Sequence, residues 1–175
     1  MIAGAIFAGG AARRFGSDKA VALIDGMPMI DHVAARLRGQ CAMVMVVGRE
    51  WPGLVTVEDR PRPGMGPLGA LAGALIHAGE NGFDRVLTSG CDLPDLPLDL
   101  AERLAPGLAV VRGQPLLGSW PSTLGSVLAD WLASAEDLSM RTWIDHVGAR
   151  RVELEAEPVN INRPGDLEAW LGKRV

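Results

Sequence analysis

Four short, almost wholly apolar runs place the strongest constraint on how this chain can fold. They cover residues 2–8, 42–48, 84–90 and 108–113, and glycine or polar residues bound each of them. Such runs are typical of strands that are covered on both faces, as in a parallel sheet. The intervening segments 28–37 and 66–79 carry apolar or small residues at helical spacing. This alternation of strand and helix predicts an α/β fold.

The second half of the chain predicts the elements that complete one domain. A short strand and a turn follow Leu116, helices cover 123–135 and 139–148, and a strand with one solvent-facing side covers 150–158. A terminal amphipathic helix follows Pro164. No repeat or linker interrupts the 175 residues, so we expect a single domain with a mostly parallel sheet.

The charge and cysteine content favour a cytoplasmic protein with a small ligand. The net charge is −4 and most basic residues are scattered, which argues against a nucleic-acid partner. Cys41 and Cys91 lie far apart, without companions at metal-ligand spacing, so neither a zinc site nor a disulfide framework is expected. The N-terminal apolar run is too short for a signal peptide or a membrane span, and no membrane association is expected.

Four loops are the candidate ligand contacts in such a fold. Ligands of open α/β sheets bind at the carboxyl ends of the strands, near the point where strand order reverses. The loops that this rule selects are 7–19, 58–69, 89–97 and 160–167.

The first of these loops, FAGGAARRFGSDK, has the composition of a phosphate cradle. Gly9 and Gly10 allow backbone N–H groups to approach a ligand, while Arg14 and Lys19 supply positive charge. Its spacing matches neither the G-x-x-x-x-G-K-[ST] loop nor the G-x-G-x-x-G fingerprint. Taken alone, the loop is equally consistent with a surface turn whose charges are solvated.

Asp92 is the candidate metal ligand. It directly follows the apolar run at 84–90, and Pro94 and Pro97 constrain the chain after it. One carboxylate at a strand end suits Mg²⁺, which binds one or two carboxylates together with substrate phosphates. The alternative is that Asp92 caps a turn or the helix that begins near Leu98.

Two further groups of residues are candidates for contacts with phosphate or an acceptor. Asn160 and Asn162 alternate on an extended segment and so face the same side, although a loop-forming role before Pro-Gly is equally compatible. Trp120 lies beside Pro121 at an expected loop and is a candidate to flank a planar ligand. Arg112 and Arg141 lie in the half of the chain where a large anionic acceptor would rest.

The four ordered motifs FAGGAARRFGSDK, GPLG, SGCDLP and NINRPGDL resemble those of the molybdenum cofactor guanylyltransferases. These are the MobA-like NTP transferases of the molybdopterin-guanine dinucleotide biosynthesis protein A family. The resemblance runs through nearly the whole chain. The family's first signature is matched by Ala8, Gly9, Gly10, Arg14, Gly16 and Lys19, with Phe7 in place of a leucine. Its closing signature is matched by Asn160, Asn162, Pro164, Asp166 and Leu167.

The resemblance implies a Rossmann-like, three-layer α/β/α nucleotidyltransferase fold. It also implies transfer of GMP from GTP to the terminal phosphate of molybdopterin, with Mg²⁺ as cofactor. Nucleotide contacts would come from Phe7, Ala8, Gly9, Gly10, Gly16, Lys19, Asp59, Gly66 and Asp92. Catalysis would involve Lys19, Arg14 and Asp92, with Asp92 holding the metal. The partners implied are GTP, the molybdopterin cofactor and molybdoenzyme maturation proteins.

Two other functions remain compatible with the same residues. One is a sister nucleotidyltransferase that uses CTP with the same cofactor or acts on a sugar phosphate. The other is a non-catalytic nucleotide-binding or adaptor protein. The sequence also departs from the family at GPLGA, where the last glycine shifts to Gly69. A second departure is at VVGREW, where Gly48 or Arg49 replaces an asparagine that meets the nucleotide.

Overall fold

A computed structural model describes residues 1–9, 18–156 and 158–172, with the side chains of Lys19 and Pro164 excepted. The strands are β1 (Ile2–Phe7), β2 (Leu23–Ile24), β3 (Met27–Pro28), β4 (Met43–Val47), β5 (Val55–Val57), β6 (Arg85–Gly90), β7 (Ala109–Val111), β8 (Gln114–Pro121) and β9 (Arg150–Val152). The α-helices are α1 (Met29–Arg38), α2 (Gly66–Glu80), α3 (Leu100–Arg103), α4 (Leu124–Leu132), α5 (Met140–His146) and α6 (Pro164–Gly172). A 3₁₀ helix covers Lys19–Val21.

Seven strands form one mixed sheet in the order β5-β4-β1-β6-β8-β7-β9, and β2 pairs with β3 in a separate hairpin. Within the large sheet, β8 runs antiparallel to both of its neighbours, and the other pairings are parallel. The chain leaves β1 toward β4 and later returns to pair β6 with the opposite edge of β1. Strand order therefore reverses at the carboxyl ends of β1 and β6, where Phe7 is the register partner of Gly90.

Both faces of the sheet carry an apolar core. Alternate residues of β1 serve the two sides: Ala5 and Phe7 join a cluster that includes α2, α4 and α5, while Ile6 joins a cluster that includes α1 and α3. This division follows from the two-residue period of a strand, which sends successive side chains to opposite faces. The arrangement confirms the predicted three-layer α/β/α fold and explains why the strand runs are apolar throughout.

The predicted helices agree closely with those of the structure, whereas the predicted strands 108–113 and 150–158 are longer than the observed ones. Ser139 caps α5 as expected, because its side chain accepts a hydrogen bond from the Thr142 backbone N–H. The expected strand at 108–113 is limited to β7, since residues 112–113 form the turn into β8. The expected strand at 150–158 is limited to β9, because its partner β7 offers only three residues for pairing. Across the part of the chain that the structure describes, no helix has the length and apolar character needed to cross a bilayer.

Candidate active site

A cavity of about 320 Å³ opens at the carboxyl ends of β1, β4 and β6, where strand order reverses. Six of the predicted nucleotide-binding residues line it: Phe7, Ala8, Gly9, Asp59, Gly66 and Asp92. The other described residues of its wall were not predicted as site residues: Asp18, Val47, Gly64, Pro67, Ala70, Gly90, Cys91 and Leu116. Residues of three of the four candidate loops, 7–19, 58–69 and 89–97, thus line the cavity.

Two glycines pack backbone against backbone where β1 meets the loop after β4. A Cβ on Gly48 would lie 2.4 Å from the Gly9 Cα, and Gly48 has a φ of +90°, which favours glycine. Ala8 donates its backbone N–H to the Val47 carbonyl at 3.0 Å. Position 48 therefore holds a glycine where any side chain would collide with the Gly9 backbone. Gly10, Arg14 and Gly16 lie outside the described residues, as does the side chain of Lys19.

Small residues of α2 hold the Asp59 loop against the cavity. The Gly69 carbonyl accepts a hydrogen bond from the Arg60 backbone N–H at 3.0 Å. A Cβ on Gly73 would lie only 2.1 Å from the Glu58 carbonyl oxygen. The backbone of Gly69, the position to which the family's last glycine is shifted, is thus in close contact with the backbone of Arg60. This contact positions the neighbouring Asp59 at the cavity.

The N-terminus of α2 faces the same cavity through Gly66, Pro67 and Ala70. The first turn of this 15-residue helix carries no acidic side chain. Unpaired backbone N–H groups and the helix dipole make such a terminus favourable for an anion. This part of the wall is therefore suited to a phosphate group.

Asp92 is buried at the end of β6 with only 7% of its surface exposed, and its neighbours determine how it lies. The missing side chain of Gly90 makes room for it, because a Cβ there would lie 2.4 Å from Asp92 Oδ1. Asn160 donates its Nδ2 to Asp92 Oδ2 at 3.3 Å, and the Ile161 backbone N–H donates to the Asp92 carbonyl at 2.9 Å. The NIN segment thus lies directly against the candidate metal ligand.

The single buried carboxylate of Asp92 is compatible with the Mg²⁺ expected from the sequence. Within residues 1–9, 18–156 and 158–172, no three His, Cys, Asp or Glu side chains converge into a metal-binding cluster. A single protein carboxylate fits Mg²⁺, which retains waters and binds substrate phosphates, whereas it does not fit a structural zinc site. The described residues therefore fit the expected cofactor.

An ion pair absent from the sequence-based prediction links two loops beside the cavity. Arg49 donates through Nη1 to Asp18 Oδ1 at 2.8 Å, and through Nη2 to Asp18 Oδ2. The hydrogen bond from Arg49 lowers the pKa of Asp18 below its usual value, and the Asp18 carboxylate raises the pKa of Arg49. The Arg49 guanidinium lies 5.6 Å from the ring centre of Trp51, so a cation–π contact supports the pair.

The same Asp18 carboxylate begins the 3₁₀ helix that carries Lys19. Its Oδ1 accepts a hydrogen bond from the Ala20 backbone N–H at 3.1 Å. An ion pair between residues that are distant in sequence leaves no local pattern. The only sequence signal for Asp18 is its position directly before Lys19 in the first motif.

The prediction that Trp120 lies at a loop and flanks a planar ligand is wrong. It lies in β8 and is completely buried among apolar residues, where its Nε1 donates to Thr88 Oγ1 at 3.0 Å. The neighbouring Pro121 ends a strand rather than forming an exposed loop, so the indole ring packs in the core and cannot flank a ligand.

The predicted arginine and asparagine contacts are not among the described residues that line the cavity, although Asn160 contacts Asp92, which does line it. Arg112 pairs with Glu153 at 2.9 Å and is largely exposed. Arg141 is exposed in the first turn of α5. Asn162 is exposed beside α6, and its backbone N–H donates to Asp166 Oδ2 at 2.9 Å. Acceptor roles for these three residues stay predictions.

Comparisons by sequence with known proteins agree on one family. The sequence pattern of the MobA-like NTP transferase domain matches residues 4–153. A molybdenum cofactor guanylyltransferase of Rhizobium leguminosarum bv. trifolii is 32% identical, over 97% of this chain and 93% of that protein. One from Acidiphilium cryptum is 33% identical, over 94% of this chain and 91% of that protein.

Solved structures share the fold at low sequence identity. Molybdopterin-guanine dinucleotide biosynthesis protein A from Archaeoglobus fulgidus superimposes with a TM-score of 0.71 and 18% identity, covering 99% of this chain and 100% of that one. A CMP:2-keto-3-deoxy-manno-octonic acid synthetase complexed with CTP gives a TM-score of 0.70 and 17% identity, covering 99% of each chain. Both support a Rossmann-like nucleotidyltransferase fold.

Proposed function

Because the chain belongs to the MobA-like NTP transferase family and is a nucleotidyltransferase, we propose that it transfers GMP from GTP to molybdopterin. The acceptor is the terminal phosphate of molybdopterin, with or without bound molybdenum, and the products are molybdopterin guanine dinucleotide and pyrophosphate. The observation that carries the proposal is the convergence of Phe7, Ala8, Gly9, Asp59, Gly66 and Asp92 on one cavity. We also propose that the protein acts in the cytoplasm, as expected from the sequence, and that its product is delivered to molybdoenzyme maturation proteins.

The reaction requires positioning and charge neutralisation more than covalent chemistry. A phosphate oxygen of the acceptor attacks the α-phosphorus of GTP, and the bond to the bridging oxygen of the β-phosphate breaks as pyrophosphate leaves. The attacking phosphate is already ionised near neutral pH, so no protein base has to remove a proton. The protein's task is to align the two substrates and stabilise the negative charge at the α-phosphate.

The charge of the described cavity wall supports different roles for its acidic residues and for the basic residues of the first loop. Asp18, Asp59 and Asp92 all line the described wall, and Arg49 neutralises the first of them. An acidic wall repels a triphosphate unless cations lie between them. We propose that Asp92 holds Mg²⁺, which offsets phosphate charge when bound, and that Lys19 and Arg14 contact the phosphates.

The remaining wall would hold the nucleoside. Phe7, Ala8 and Gly9 present a short stretch of backbone beside the apolar residues Val47 and Leu116. We propose that this stretch, with Gly10 and Gly16, contacts the guanine and ribose, while Asp59 contacts the nucleotide from the opposite loop. The α2 N-terminus would receive a phosphate oxygen at Gly66.

Calorimetric titration with GTP, CTP, ATP and UTP in the presence of Mg²⁺ tests the nucleotide assignment. We expect GTP to bind most tightly, and we expect addition of molybdopterin to cause release of pyrophosphate from GTP but not from CTP, ATP or UTP. A preference for CTP would replace the guanylyl reaction by cytidylyl transfer. Tight GTP binding without pyrophosphate release, given active acceptor, would favour a non-catalytic role.

A further inference from the structure

A line of polar side chains connects Asp92 to the start of a strand that no motif includes. Gln114 is the first residue of β8, and its Nε2 donates to the Pro158 carbonyl at 3.4 Å and to Asn160 Oδ1. Asn160 in turn donates its Nδ2 to Asp92 Oδ2 at 3.3 Å. Three side chains that are 46 and 68 residues apart in sequence thus form one hydrogen-bonded chain ending at the candidate metal ligand.

The Pro158 carbonyl and the Asp92 carboxylate, at the two ends of this hydrogen-bonded chain, determine which amide groups donate and which accept. A backbone carbonyl can only accept, so Pro158 requires the NH₂ group of Gln114 to face it. That NH₂ group then requires the carbonyl oxygen of Asn160 as acceptor. An ionised carboxylate also only accepts, so the remaining NH₂ group of Asn160 is the end that suits Asp92. Reversing either amide would place two acceptors against each other.

This order determines how the Asp92 carboxylate is oriented. Asn160 holds Oδ2, whereas Oδ1 occupies the space that the missing side chain of Gly90 leaves. With one oxygen held, rotation of the carboxylate about its Cβ–Cγ bond is restricted. Groups that hydrogen-bond to a metal ligand, without touching the metal, orient that ligand, and their loss costs about 10–100-fold in metal affinity.

We propose that Gln114 is a positioning residue for metal binding: it sets the amide of Asn160 so that Asn160 orients Asp92 toward a divalent cation. This inference rests on the proposed function, in which Asp92 is the cation ligand. It also revises the expected role of Asn160. The carbonyl oxygen of Asn160 is engaged by Gln114, so Asn160 supports Asp92 instead of contacting an acceptor phosphate itself.

The substitution Gln114→Glu separates orientation from simple electrostatics. A carboxylate at position 114 cannot donate to Pro158 or to Asn160, so the Asn160 amide loses the partner that fixes its order. The added negative charge alone would strengthen cation binding, whereas loss of orientation weakens it. Gln114→Met is the matched control, because it keeps the length of the side chain and removes its hydrogen bonds without adding charge.

Titration of each variant with Mn²⁺, in the absence and in the presence of GTP, followed by electron paramagnetic resonance, measures the effect directly. We expect Gln114→Glu to weaken Mn²⁺ binding by about tenfold or more, Gln114→Met to weaken it less, and the melting temperature to change little in either. In an Asn160→Ala background, Gln114→Glu should cause no further weakening, because its effect passes through Asn160. Unchanged or tighter Mn²⁺ binding by Gln114→Glu would overturn the inference, as would equal effects in both backgrounds.

Other outcomes separate the inference from the proposed function. If the wild-type protein binds Mn²⁺ with the expected dependence on Gln114 but does not prefer GTP, the guanylyl assignment fails and the positioning role stands. If GTP is preferred and turned over while all Gln114 variants bind Mn²⁺ equally, the positioning role alone is wrong. A wild-type protein that binds no Mn²⁺ even in the presence of GTP refutes the positioning role.

Discussion

Gly73→Ala should destabilise the protein and displace a loop of the active site, although alanine is the better helix former. Gly73 lies in the middle of α2, and its added Cβ would lie 2.1 Å from the Glu58 carbonyl oxygen and 3.1 Å from the Glu58 carbonyl carbon. Contacts below 3.0 Å essentially never occur for a real Cβ, so one backbone must retreat by at least 0.9 Å, the difference between 3.0 and 2.1.

The expected cost follows from two opposing effects. Overpacking against a well-packed neighbour costs about 1–3 kcal/mol, and the upper value applies because the neighbour is backbone rather than a flexible side chain. Replacing a helical glycine by alanine returns about 1 kcal/mol. We therefore expect a net loss of about 2 kcal/mol in the free energy of unfolding.

Gly79→Ala is the matched control within the same helix. Gly79 is exposed near the end of α2, and its added Cβ would meet only Ser122 at an ordinary 3.8 Å. The same substitution should therefore stabilise the protein by about 0.5 kcal/mol. Urea unfolding measures both changes, and opposite signs are expected for the two variants.

The functional consequence of Gly73→Ala comes from the position of Glu58 next to Asp59. Moving this segment by about 1 Å misplaces a residue of the cavity wall, which costs about 10–100-fold in kcat/KM for GTP if Asp59 contacts the nucleotide. Gly79→Ala should leave kcat/KM unchanged. Wild-type stability together with wild-type kcat/KM in Gly73→Ala would refute the packing argument.

Three further predictions concern individual side chains. Asp92→Asn should reduce pyrophosphate release by at least about 100-fold with an unchanged circular dichroism spectrum, because the change removes a metal-binding charge worth several kcal/mol; activity within tenfold of wild type would exclude Asp92 as the metal ligand. Arg49→Met should lower the free energy of unfolding by less than about 1 kcal/mol near pH 7, since the ion pair with Asp18 is partly exposed. Arg49 lowers the pKa of folded Asp18, so this stabilisation should be fully present above about pH 4 and should disappear as the pH falls through the lowered pKa; a pH-independent difference between the two unfolding curves would contradict it. Burial raises the pKa of Cys41 to about 12, so mass spectrometry should find labelling of this thiol at pH 8 about 1000-fold slower in native than in unfolded protein, and comparable rates would show that the thiol is accessible.

The layers of the fold were predictable because burial leaves a local signature. A strand covered on both faces must be apolar at every position, as in β1 and β4, and a helix on a sheet repeats its apolar residues every three or four positions. The same local signals located Asp92 and the first glycine loop at strand ends. These predictions required no knowledge of which strand lies beside which.

The later strands show where local signals stop being informative. The residues around Trp120 contain Gly118 and Pro121 and look like a turn, yet they belong to β8, which fills the space between β6 and β7. Hydrogen bonding to two neighbouring strands and burial in the core stabilise this strand, and neither is encoded in its own composition. For the same reason, the length of β9 depends on its partner.

By itself, the sequence determined the class of fold and the chemical types that line the cavity, because strand burial, glycine geometry and charge are properties of short segments. Only the tertiary structure decided which distant side chains act together. Arg49 reaches Asp18, and Gln114 reaches Asp92 through Asn160, because the order of strands in the sheet brings their loops to one edge. Contacts between residues that are 31 to 68 positions apart depend on that order, and no local pattern of residues records it.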